Sequence, residues 1–296
     1  MSPAPAAIDL EVVVSPMVDV TVGGQFSPTT ATILSGPTEA VLVDTLLLAD
    51  DVERLGNRIE ATRKKLTTIY VTHAHFDHYF GLEALLARFP DARGVALPSV
   101  VDSIHATHEP TRELTKQWFA GKALDCTVLP DALDGETIVL DGQELHAIEV
   151  GQGDIPHSTI LHVPSIDAVV AGDVVYNGVH QMLANSGPDD WPRWIESVDK
   201  IAALNPKVVV AGHKRPELPD DDIAAIVDGT RNYINAFIEE LAAAGDTRTL
   251  VGRMQERFPD HINPTAPHRV GRHGDQAQAA RGHVRGQGVR RRAARW

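Results

Sequence analysis

Apolar residues recur along this chain in two rhythms. Short unbroken runs, 31–36 "ATILSG", 39–44 "EAVLVD", 66–71 "LTTIYV" and 94–98 "GVALP", predict strands. The first two flank "GPT" and read as a hairpin. Between them and later runs the spacing changes to the helical period. Val52, Leu55 and Ile59 recur within the charged stretch 50–64, and 79–89 "YFGLEALLARF" is amphipathic, so both predict helices. Residues 99–120 read as mainly helical. Residues 136–150 predict two strands turned at Asp141-Gly142, and 158–173 two more. A helix over 191–204, a strand over 207–212 and helices over 219–244 and 247–258 complete the pattern.

Strands and helices alternate, but hairpins occur in both halves. That argues against a purely parallel doubly wound sheet and for an α/β architecture of two mixed β-sheets stacked face to face with helices outside. With 43% hydrophobic residues in 296, a sizeable core is expected. No linker interrupts residues 1–266, which read as one domain. Residues 267–296 differ: eight arginines against Asp275 give this tail a formal charge of +7 and leave −20 for the rest. Lacking an apolar face, the tail reads as disordered.

The formal charge of −13 argues against a general polyanion binder, so no nucleic-acid partner is expected. Cys126 is the one cysteine, which excludes an internal disulfide and fits a reducing, cytoplasmic location. The N-terminus lacks the pattern of a signal peptide, and no run of about 18 apolar residues predicts a membrane span.

Ligand-type side chains recur where predicted strands end. "IYV" leads into "THAHFDH" (72–78), "DAVVAGD" ends at Asp173, and "KVVVAGH" ends at His213. His73 and His75 share a side of extended backbone, and the turn after them can aim Asp77 and His78 at a second point. Imidazole and carboxylate suit zinc, iron or manganese, and a shared carboxylate can hold two ions roughly 3.5–4 Å apart.

"THAHFDH" resembles the HxHxDH signature of the metallo-β-lactamase superfamily of hydrolases. Asp44 after the early hairpin, "AGD" at 171–173 and "AGH" at 211–213 follow in family order over roughly residues 25 to 215. The resemblance implies an αβ/βα four-layer sandwich with a metal centre, expected to hold two zinc ions, at one edge of the sheets. His73 and His75 would bind the first ion, and Asp77, His78 and His213 the second. Asp173 would bridge them and Asp44 would support the loop. The family places a third histidine on the first ion; here "VGQGDIPHSTILHV" puts Gln152 at that place, with His157 five residues later as the competing ligand. A Gln152 amide oxygen would make the first site the weaker of the two. Tyr176 follows Asp173 by three residues, where superfamily lactonases carry a carbonyl-polarising tyrosine, and His180 could line the same pocket.

The implied chemistry is hydrolysis of a small molecule. Bound ions lower the pKa of water to near 7, and the hydroxide attacks an ester, lactone, thioester or amide carbonyl. Asp77 or Asp173 would handle the proton, and a metal ion, with Tyr176, the oxyanion. A metal-binding module without activity and a di-iron redox protein are the alternatives. His105 and His108, three apart on the helix over 99–120, read as a solvated face, and Trp191 and Trp194 as core.

Overall fold

The computed structural model describes residues 7–264. The chain first builds β1 (Asp9–Val14), short β2 (Val18–Asp19) and β3 (Gln25–Phe26), β4 (Thr30–Ser35) and β5 (Glu39–Val43). Helix α1 (Ala49–Thr62) crosses to β6 (Lys65–Tyr70), and α2 (Phe76–Tyr79) with α3 (Leu82–Arg88) leads to β7 (Arg93–Ala96). Helix α4 (Pro98–Phe119) and β8 (Asp131–Ala132) close this half. The order in the first sheet is β1-β4-β5-β6-β7-β8. The β1-β4-β5 part is antiparallel and the remainder parallel, so the sheet is mixed as the pattern predicts.

The second half contributes β9 (Thr137–Leu140), β10 (Gln143–Gly151), β11 (Ser158–Val163), β12 (Ala168–Val170) and short β13 (Tyr176–Asn177). After α5 (Trp191–Ala203) come β14 (Val208–Val210), β15 (His213–Lys214), α6 (Gly229–Ala243) and α7 (Thr247–Arg257). The second sheet runs β14-β12-β11-β10-β9, with β12 and β14 parallel across α5. The expected hairpin at Asp141-Gly142 joins β9 to β10, with Gly142 at φ 81°.

Sequence pattern explains which strands lie inside. Strand β4 is buried at every position and β5 at all but its first, as expected of strands covered on both faces. Strands β9 and β10, towards the sheet edge, alternate buried and exposed positions. Ile33, Leu42 and Ile69 from the first sheet and Leu145, Leu161 and Val163 from the second meet in one core. Fully burying such a side chain contributes about 1.5–3 kcal/mol. A second core lies on the other face of the second sheet, where Val150, Ile160 and Val209 pack against Trp194 of α5 and Phe237 of α6.

Four layers result: helix, sheet, sheet, helix. Every segment carrying candidate chemistry leaves its strand at the same edge. There the two sheets are tied by Tyr70 Oη to Thr159 Oγ1 at 2.7 Å and by the Thr159 hydroxyl donating to Thr72 O at 2.6 Å. No helix among the described residues is long and apolar enough to cross a membrane. The tail at 267–296 lies outside the described residues.

Candidate metal centre

The stretch 72–78 leaves β6 in extended backbone and turns into α2 at Phe76, with His75 at φ −85° and ψ 139° as the residue before the helix. This single change of direction points His73 and His75 at one place and Asp77 and His78 at another. Asp44, just past β5, holds the turn. It sits in the left-handed region at φ 61°, a conformation that Asp tolerates better than most residues. Its carboxylate accepts the Thr72 amide at 2.9 Å, the Thr72 hydroxyl at 2.8 Å and His78 Nδ1–H at 2.8 Å. That last bond leaves His78 Nε2 free to face inward.

Asp173 lies in a tight turn after β12, at the meeting point. Its Oδ1 is 3.2 Å from His78 Nε2, and its Oδ2 is 3.1 Å from His213 Nε2, 3.6 Å from His73 Nε2 and 3.7 Å from His75 Nδ1. His213 starts β15, which pairs with β13 and sets Tyr176 opposite it. Its Nδ1–H donates to Pro28 O at 3.0 Å, again leaving Nε2 inward. Gly212 lets the chain pass this close: a Cβ there would lie 2.0 Å from Asp173 Oδ1.

Donor atoms fall into two sets, each within 4.8 Å: His73, His75, Asp154 and Asp173, and Asp77, His78 and His213. Six of the seven residues expected to bind metal are thus brought together. Gln152 is the seventh. It is buried, and its amide donates to Gly153 O at 3.1 Å. The competing His157 is exposed, at φ 60°, with Nδ1 2.9 Å from Glu149 Oε1 on the outer side of the loop. The acid between them, Asp154, was not singled out by sequence reasoning. It is buried, with Oδ2 3.0 Å from His75 Nδ1. Its signal was available: a lone carboxylate in a glycine-rich loop leaving the same edge as the other ligands.

Charge couples these groups. Burial alone would lower His75, but Asp154 and Asp173 outweigh it and push the imidazole up to about 10. Burial opposes charge on His78 and His213 too, yet Asp173 and Asp77 raise both. Conversely, burial would raise Asp173 and Asp77, while His213 and His78 hold both below the usual carboxylate range, Asp173 well below it. Metal ions would take over this balancing role from the protons.

Orphaned atoms test the fit. His78 Nε2, both Asp154 oxygens and Asp173 Oδ1 are buried without a hydrogen-bond partner, the nearby imidazole being misaligned for one. An unsatisfied buried polar atom costs about 1–3 kcal/mol. Several lone pairs converging on shared points are what cations would satisfy, so the donor set fits divalent ions.

The remaining candidates divide. Tyr176 is buried, its hydroxyl 3.3 Å from Asp173 Oδ2 and its ring stacked on His213 at 5.4 Å. Burial and then Asp173 raise its phenol well above the ordinary value, which keeps it a donor. His180 turns instead to Tyr233 Oη at 2.9 Å and to the His261 ring. His108, expected on a solvated face, is buried against Tyr79 Oη at 3.0 Å, whereas His105 is exposed. Trp191 and Trp194 are core. Thr29, also missed by sequence reasoning, donates its hydroxyl to Asp77 Oδ2 at 2.7 Å.

Fold and site together define a member of a known class. The sequence profile of the metallo-β-lactamase superfamily matches residues 24–213, and the chain belongs to that superfamily. A metallo-β-lactamase family protein from Thermus thermophilus superposes with a TM-score of 0.62 at 19% identity, covering 90% of this chain and 94% of that one. The FIM-1 metallo-β-lactamase of Pseudomonas aeruginosa, solved in a mono-zinc form, gives 0.56 at 16% identity over 78% and 96%. Among curated proteins, an atrochrysone carboxyl ACP thioesterase of Aspergillus fumigatus is 24% identical over 208 residues, 68% of this chain. The match spans 57% of that relative's length.

Proposed function

We propose that the protein is a metal-dependent hydrolase of small acyl compounds, with a thioester the favoured substrate among ester, lactone, thioester and amide. One observation carries the reading: ligand-type side chains from four strand ends converge around Asp173, and buried atoms of His78, Asp154 and Asp173 there lack a hydrogen-bond partner. Likeness to the thioesterase supports the thioester among the acyl classes.

Asp77, His78 and His213 would hold one divalent ion, His73 and His75 would contribute to holding the other, and Asp173 would touch both. Such ions, zinc, manganese or iron, supply Lewis acidity and acidify water near neutral pH. The chain's own residues do the rest. Asp44, Pro28 O and Thr29 orient His78, His213 and Asp77. Asp77, kept ionised by His78 and His213, can accept a hydrogen bond from the attacking water. Tyr176 stays protonated and can donate to the substrate oxygen as it gains charge.

Metal content per chain, measured beside hydrolysis of an ester, lactone and thioester panel, tests this. Chelation should abolish hydrolysis, and zinc, manganese or iron should restore it. Full activity in metal-free protein would overturn the reading.

A further inference from the structure

The loop after β10 is built to bring one more carboxylate to the centre. Strand β10 pairs with β11 through a register shift between Glu149 and Gly151, and Gly151 adopts φ 107°. The chain then doubles back, with Gly153 N donating to Ile155 O at 2.9 Å and the Ser158 hydroxyl donating to the same oxygen at 2.9 Å. Gly153 is packed so closely that a Cβ there would lie 2.6 Å from Ser158 Oγ. This fold-back turns Asp154 inward and His157 outward.

Asp154 is 1% exposed, and neither oxygen has a hydrogen-bond partner. Its Oδ2 lies 3.0 Å from His75 Nδ1, and its ligand atom falls within 4.8 Å of those of His73, His75 and Asp173. A buried carboxylate is costly unless a cation faces it, and the charged group nearest Asp154 is the His75 imidazole, itself a ligand-type side chain.

Resting on the metal-centre reading above, the geometry points to Asp154 as the residue that completes the first ion's ligand set. Each ion is then held by a matched triad of two histidines and one aspartate, His73, His75 and Asp154 against His78, His213 and Asp77, with Asp173 shared. Two consequences follow from donor chemistry. The sites load as a near-equal pair, not as one tight and one loose site. And the set, richer in carboxylate than a three-histidine site, shifts preference from zinc towards manganese or ferrous iron.

Manganese(II) alone, added to metal-free full-length protein, is the probe, read by bound metal per chain and by electron paramagnetic resonance. The wild type should take up two ions with a spin-coupled spectrum. Asp154→Asn should weaken one of them about tenfold or more and leave the spectrum of an isolated ion. Gln152→Ala and His157→Ala should keep two ions and the coupling. Asp154→His should retain two ions but shift competition towards zinc, and it carries the test if the asparagine variant does not fold. Two coupled ions in Asp154→Asn, an unchanged preference in Asp154→His, or loss of one ion in Gln152→Ala would each overturn the assignment while leaving the hydrolase reading intact. No manganese uptake by a wild type that binds zinc would also overturn the assignment and leave the hydrolase reading intact, whereas uptake of neither metal would overturn both.

Discussion

His78 and His213 are each braced on the nitrogen that faces away from the centre, by the Asp44 carboxylate and the Pro28 carbonyl, and both are buried. Among the described residues, the outward nitrogen of His75 has only the Asn185 side-chain amide, 3.1 Å from Nε2 on an exposed turn, and His75 is itself 20% exposed where His78 is 0%. His73, on the same side as His75, is also buried, with Nδ1 3.0 Å from the Thr72 hydroxyl, so His75 alone of the four is loosely held. A buried partner fixes ring orientation and raises ligand basicity, whereas an exposed amide competes with water. The difference leaves His75, 20% exposed, as the histidine of the centre most open to solvent.

The most severe way to break the comparison is to remove what the halves share. Asp173→Ala should lose both ions and lower hydrolysis by about a thousandfold, or ~4 kcal/mol. Metal content and turnover on one preparation check it; a variant that keeps two ions would deny Asp173 its central place. Asp44→Asn separates the halves. It should weaken the ion at His78 by about 10–100-fold, the usual effect of losing the partner behind a histidine ligand, and weaken the other ion, which Asp44 reaches only through Thr72 and His73, less. Competition against a calibrated chelator measures this, and equal loss at both ions would show that the halves are not independently braced.

A smaller effect concerns protons in place of metal. In metal-free protein His75 is raised to about 10 from an ordinary value near 6.5. Its contribution to stability is fully present below about 6.5 and is lost as pH rises through about 10. Asp173 is shifted the other way, so its contribution is present above about 4 and lost as pH falls. Metal-free protein should therefore melt highest between about pH 4 and 6.5 and lower towards pH 10. Metal-loaded protein should lack the alkaline decline, because ligation requires the neutral imidazole. Thermal melts of both forms across this range decide it.

What was legible in the sequence was local. Unbroken apolar runs placed β4, β5, β6 and β7, and helical spacing placed α1, α4 and α5, because side-chain period alone reports which faces are buried. Strands β1, β2, β3, β8, β13 and β15 were not placed by it; all but β1 are only two residues long, and β13 and β15 form a two-stranded sheet of their own. Within the centre, HxHxDH was readable since one turn of backbone places His73, His75, Asp77 and His78, and Asp173 and His213 stand at strand ends.

The residue after β10 was not readable in the same way. Alignment by strand and glycine led to Gln152, because counting residues assumes unbroken pairing; the register shift at Glu149–Gly151 and the reversed turn at Gly153 move the inward position to Asp154. Thr29 reaches Asp77 across 48 positions of chain and Pro28 reaches His213 across 185. The sequence by itself determined the superfamily, the alternating elements and the donor types at strand ends, since those depend on neighbours within a turn or a strand. Only the tertiary structure decided which carboxylate closes on His75, which partners brace His78 and His213, and where Tyr176 stands, because each is set by where distant strands end against one another.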